Sequence, residues 1–337
     1  MKPIALLPCL FLAAIIGCSE EKEAGSTQAP AVSAAPAEDS AEATVNHIME
    51  GVKNGQPVVA WRALPDSYQS DVNELVQTFG KNMDAQTWEQ VTGLLNSVHS
   101  VLDTKQEFIF NHPAIAESKD PETRKKSITH VTGLLKTILD GLGTLEALQT
   151  FDGGKFMETT GVKVAEQVIA LKAMMPEEGA PVQLMAFGDV KVETIESTDS
   201  SAKLKFVKAD GQTEETDFVK FEGKWLPKDM VDDWAHNMAE AREGLAALPQ
   251  QADQMRMQAM GLGGMIAGML SPLQSAETQE QFNTSVEGLV AGAGMFVPML
   301  GGGGGTFAAP APPSDSLNDS FGTEPANKEE RLEPAGK

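Results

Sequence analysis

The chain has 337 residues, of which 41% are apolar, 22% charged and 6% aromatic, and its formal net charge is −22. That length supports one large domain or two ordinary ones, with no need of metal or disulfide staples. The acidity excludes sequence-independent binding of nucleic acid, which depends on Lys and Arg neutralising phosphates. It equally excludes a polybasic contact with a membrane surface.

At the N-terminus, Lys2 precedes an apolar run from Ile4 to Ile16. The run is shorter than the roughly 20 residues that cross a bilayer, so it reads as an export signal. It leads into Ile15-Ile16-Gly17-Cys18, which resembles the lipobox of bacterial lipoproteins. The resemblance implies a signal peptide over residues 1–17, removal of that peptide, and a lipid carried on Cys18. The membrane is then a partner through the N-terminal lipid, and several acyl chains give stable anchoring. Ser19 stands where relatives retained at the inner membrane often carry Asp. That implies the cell envelope, at the outer membrane facing the periplasm. Of the two cysteines, Cys9 would be cut away. The remaining body then has no disulfide, no thiolate nucleophile and no cysteine metal site.

Residues 18–39 are rich in Glu, Ala, Pro, Ser and Thr. They cannot bury enough surface to order themselves, and are expected to be a flexible tether of about 25 Å reach. Residues 40–180 read as helical. Asp39 and Glu42 suggest a helix start, Val45, Ile48, Met49 and Val52 form a stripe, and Asn54-Gly55 ends it. Pro57 suits the first position of a short helix with Val58, Val59, Trp61 and Leu64. Tyr68 to Met83 and Trp88 to Leu102 repeat at helical spacing, the second after a cap at Asp84. Asp120-Pro121 opens the clearest stripe, from Ile128 to Leu145, and a further helix over 155–175 ends at Pro176. The shared Val-Thr-Gly-Leu-Leu runs at 91–95 and 131–135 read as two similar amphipathic helices, because their flanks differ and no third copy exists.

Residues 181–248 change period. Val190, Val192 and Ile195 alternate with polar residues, and Asp210-Gly211 and Glu222-Gly223 are turn signals between apolar runs. Three or four antiparallel strands are expected over about 182–227. A helix capped by Asp229, carrying Val231, Trp234, Met238 and Leu245, then runs up to Pro249. The stretch 249–300 is rich in Met, Gly and Ala, with Ser271-Pro272 as a break and GxxxG spacings at Gly264–Gly268 and Gly288–Gly292. It is expected to be a helical hairpin packed through its small residues, with Met260, Met265 and Met269 as a candidate surface for an envelope protein partner. From 301 to 337 the composition is that of a disordered acidic Gly/Pro-rich tail. The fold class is α+β: a mainly helical N-terminal half, a small antiparallel sheet and C-terminal helices.

Chemistry is marked chiefly by absent signatures. The sequence has no HExxH, GxSxG or phosphate-loop pattern, and its five histidines share no metal-ligand spacing. No cofactor and no metal is expected. Asp232 and His236 lie four apart on one helix face and could pair for general-base work. With Asp229 and Asp233 they read instead as acids favoured at a helix start. Trp61, Trp225 and Trp234 are candidate ligand-binding residues, although their periodic positions also suit a core.

Helices followed by hairpins ending in Gly223-Lys224-Trp225-Leu226-Pro227 resemble the NTF2-like superfamily over residues 41–234. The likeness rests on Val52 to Gly55 with Trp61, and on the Phe218 to Pro227 hairpin. It implies a cone-shaped pocket in a family that holds enzymes and binding modules, and carries over no catalytic residue. The expected function is that of a non-enzymatic, lipid-anchored envelope protein acting through protein contacts. The alternative is a small-molecule-binding NTF2-like module.

Overall fold

The computed structural model describes residues 39–174, 190–208 and 211–296. The expected signal peptide, Cys18, nearly all of the tether, the strand start before Val190 and the tail lie outside them. The described chain is α+β, with many helices and one four-stranded antiparallel sheet. Contacts divide it into two units after Val290.

The first helix, α1 (Ala41–Lys53), is capped by Ser40, whose hydroxyl accepts from the Ala43 amide at 3.1 Å. Asp39 does not cap it; its carboxylate instead pairs with Lys220. The helix stops at Asn54, and Gly55 takes the left-handed conformation (φ 71°) that glycine adopts without cost. There follow α2 (Val58–Ala63), α3 (Asp66–Asn82) and α4 (Ala85–Thr104). The Asp84 carboxylate caps α4 by accepting from the Thr87 amide at 2.9 Å. Two short helices, α5 (Gln106–Phe110) and α6 (Pro113–Ala116), lead to α7 (Pro121–Leu142), capped by Asp120 with Pro121 in its first turn. The single helix expected from 155 is three pieces after α8 (Leu145–Gln149): α9 (Gly153–Phe156), a π-turn (Met157–Gly161) and α10 (Val162–Lys172). Gly153 explains the close fit there, since a Cβ on it would lie 2.2 Å from the Trp61 ring.

Strands β1 (Lys191–Ser197), β2 (Ser201–Val207), β3 (Thr213–Phe221) and β4 (Lys224–Pro227) form a meander in sequence order. The last hairpin closes through Glu222 (φ 48°) and Gly223 (φ 78°), the paired left-handed residues of a type I′ turn. α1 packs Ala41, Val45 and Met49 on the face bearing Val192, Leu204, Phe218 and Trp225. On the other face, Phe221 meets Tyr68 of α3 at 5.5 Å between ring centroids.

The main departure from expectation is α11 (Lys228–Ser275), one continuous helix of 48 residues. It begins after Pro227 with no side-chain cap, so Asp229 sits in its first turn and is not the cap. Neither Pro249 nor Ser271-Pro272 breaks it. A proline inside a helix leaves the carbonyl four residues earlier without its donor, which usually costs about 3 kcal/mol. At Pro249 that carbonyl belongs to Leu245, and Asn82 Nδ2 donates to it at 2.9 Å. On both sides of the proline, Met238, Leu245, Leu248 and Met255 pack on Leu75 and Phe79 of α3 and on Met83 just beyond its end. The helix ends three residues beyond Pro272, where Lys105 Nζ donates to the Ala276 carbonyl at 2.7 Å. A turn leads to α12 (Gln279–Phe296). Its Phe282, Val286 and Leu289 pack with Ile266, Leu270 and Leu273 of α11, against Val98, Val101, Phe108 and Ile109.

Candidate functional site

The three candidate tryptophans are divided among three packing clusters. Trp61 is buried with Val58, Met157 and Val164, and Trp225 with Leu204 and Phe218 under α1. Trp234 lies flat on Tyr68 (3.8 Å between centroids, planes 2° apart) and donates from Nε1 to Asp71 at 2.8 Å. The other Asp71 oxygen accepts from Arg242 at 2.6 Å. Burial raises the Tyr68 phenol above its ordinary pKa, and the nearby Glu222 and Asp71 charges add to the effect. This group fastens α3 to α11, with one face of Trp234 spent on Tyr68 and its N–H on Asp71.

The described residues form open surface hollows, of which two are the best defined. One, of about 460 Å³, runs along α3 between Asp66, Gln69, Ser70, Asn73, Glu74 and Gln77. The other, of about 410 Å³, is lined by Asn46 and Val190 to Val192. Neither lining includes a tryptophan. In the first, Gln69, Asn73, Gln77 and Glu74 already bond to Leu64, Gly153, Phe151 and Arg242. Its polar groups are largely committed to holding neighbouring segments together.

The Asp232–His236 pair does not form. Asp232 pairs with Lys228, while His236 Nε2 lies 3.7 Å from Glu240. His112 accepts from the Ala114 amide and His130 contacts Gln167 at 2.7 Å. Among the described residues, no group of three or more His, Cys, Asp or Glu is placed to hold a metal ion.

The C-terminal part of α11 presents a different surface. From Met257 to Ala276 the sequence contains no charged residue. One side of this stretch docks on α4 and α12 through Ile266, Leu270 and Leu273. On the opposite side, Met257 is 67% and Met260 57% exposed. Gly261, Gly264 and Gly268 follow at helical spacing on that same side, all exposed. Of the methionines expected to form a contact surface, Met260 is exposed, whereas Met265 and Met269 are half-buried toward the flank. Met257 belongs to the surface instead.

Some helical glycines serve close approach: a Cβ on Gly51 would lie 2.7 Å from Val59, and one on Gly80 2.8 Å from Leu148, whereas Gly93 and Gly244 face open space. On Gly261, Gly264, Gly268 and Gly288 it would meet nothing within 4 Å. The hairpin of α11 and α12 is therefore held by large apolar side chains, not by these small residues as expected. Each glycine costs a helix about 0.5–1 kcal/mol relative to alanine, and within the described residues these four gain no close contact in return.

No helix among the described residues is long and apolar enough to cross a membrane. No protein family, curated protein or solved structure matches the chain.

Proposed function

We propose that the chain is a non-enzymatic, lipid-anchored protein of the bacterial cell envelope, held through Cys18 at the outer membrane and facing the periplasm. It acts through protein–protein contacts made by the uncharged side of α11. The observation that carries this reading is the exposed Met257–Met260 surface inside a charge-free helical stretch, on a chain of net charge −22. Contiguous exposed apolar surface is a common form of interaction site, and methionine adapts to varied partners. The small-molecule reading has less support, because its three tryptophans are engaged in packing.

Mass spectrometry of the mature protein tests the anchor. The expected species begins at Cys18 and carries diacylglycerol and acyl additions, and Cys18→Ala moves the protein from the membrane fraction to the soluble one. An unmodified Cys18 overturns the anchor. Native mass spectrometry after gentle extraction tests the contacts: a second polypeptide on the body supports them, and a bare lipidated mass argues against them.

A further inference from the structure

We propose that Met257 and Met260 are a site of reversible oxidation on α11, where a peroxide oxidant converts their thioethers to sulfoxides and turns the contact surface polar without unfolding the chain. The effect on binding rests on the contact-surface reading above; the site of oxidation does not.

Accessibility selects these two sulfurs. Met257 is 67% and Met260 57% exposed, whereas Met157 and Met238 are only 4% and 7% exposed. Every other methionine whose side chain is described is half-buried. Neighbouring residues fix which way the helix turns here. Arg256 bonds to Asp84 at the start of α4, and Met255 packs into the cluster of Leu75, Leu245 and Leu248. On the anchor reading no thiol competes for the oxidant, because Cys9 is cut away, Cys18 is acylated and the chain has no third cysteine. That leaves thioethers as the sulfur a two-electron oxidant can reach.

In the step, a sulfur lone pair attacks one oxygen of hydrogen peroxide. The S–O bond forms as the O–O bond breaks, the sulfur gives up two electrons, and the peroxide leaves as water. Two thiols of a sulfoxide reductase reverse the step, ending as a disulfide with release of water. Position decides the consequence for the fold. A sulfoxide on Met157 or Met238 would put a polar oxygen inside a core cluster, where nothing solvates it. On Met257 and Met260 water solvates the new oxygen, so the fold stays intact. A partner that packs on the two thioethers must instead bury that oxygen, and it binds more weakly.

The test uses the full chain in the membranes of an expressing bacterium. After a limited dose of hydrogen peroxide, peptide mass spectrometry reads the sulfoxide at each methionine. Met257 and Met260 are expected to oxidise about tenfold or more faster than Met157 and Met238, with an unchanged thermal melt, and a pair of sulfoxide reductases, one for each epimer, is expected to restore both. Equal rates at the four methionines, or a lowered melt once only Met257 and Met260 carry oxygen, overturn the site. Native mass spectrometry of the same samples after gentle extraction reads the bound polypeptide, which oxidation is expected to reduce about tenfold. Met257→Leu with Met260→Leu keeps the surface apolar and is expected to retain the partner under peroxide. Equal loss from this variant, or full retention by the doubly oxidised parent, overturns the switch. An untreated chain with no bound polypeptide overturns the contact-surface reading and the switch with it, while the oxidation rates still decide the site.

Discussion

Asp84 does two things with one carboxylate. It caps α4 through the Thr87 amide and hydroxyl, and it accepts from Arg256 of α11 at 2.9 Å. The Arg256 and Thr87 hydrogen bonds lower its pKa from 3.8 to about 2. A carboxylate depressed in the folded state stabilises fully above its unfolded pKa and loses that contribution as pH falls through the folded one. Asp84→Asn is therefore expected to lower the melting temperature at pH 7, with the gap to the parent closing between about pH 4 and pH 2. Glu222 works against the fold locally, because its backbone sits in the left-handed region that side chains other than Asn, Asp and Gly resist. Glu222→Asn, which suits a type I′ turn, should stabilise the protein by about 1 kcal/mol in a denaturant melt. Glycines divide into two kinds by the same measurement. Gly153→Ala drives a methyl into the Trp61 ring and should destabilise by about 1–3 kcal/mol. Gly268→Ala enters open space and should stabilise the folded chain by up to about 1 kcal/mol.

Among the elements, α11 departs furthest from its sequence pattern. The helix starts at Asp84 and Asp120 are visible locally, because cap and capped amide lie within three residues. The sheet is equally visible, since alternation and two glycine turns fall in consecutive windows. The passage of α11 through Pro249 depends on Asn82, 163 residues before the carbonyl it satisfies, and no local window contains both. Asn82→Ala should leave the Leu245 carbonyl unpaired and cost about 1–3 kcal/mol. In a Pro249→Ala background, where the helix supplies its own amide, the same substitution should cost clearly less. Equal costs in a double-mutant cycle would refute the compensation. The candidate surface was half visible for a related reason. Its Met and Gly content is plain in composition, but Met255 is half-buried and Met257 exposed only two residues on. Which of them faces outward is decided by how α11 docks on α3 and α4. The tryptophans meet the same limit, since spacing alone cannot tell a ring that lines a cavity from one that packs, as Trp234 does on Tyr68 and Trp61 beside Gly153.

At the scale of the whole molecule, the full chain carries a net charge of −22, and the ion pairs among its described residues lie mainly at the surface. Such pairs contribute little individually, and self-repulsion outweighs them. Raising salt from about 0.01 M to 1 M shortens the screening length from about 30 Å to about 3 Å. The melting temperature is expected to rise across that range. A fall would mean that the surface pairs dominate. One consequence of α11 concerns distance. It leaves the sheet at Lys228, close in sequence to the Lys220 that pairs with Asp39, the last residue of the expected tether. Met257 lies 29 residues further on, about 45 Å along the axis at 1.5 Å per residue. A helix hardly stretches over this range, so α11 is a gauge. It fixes the spacing between the point where the chain departs toward its N-terminus and the proposed contact surface at Met257 and Met260.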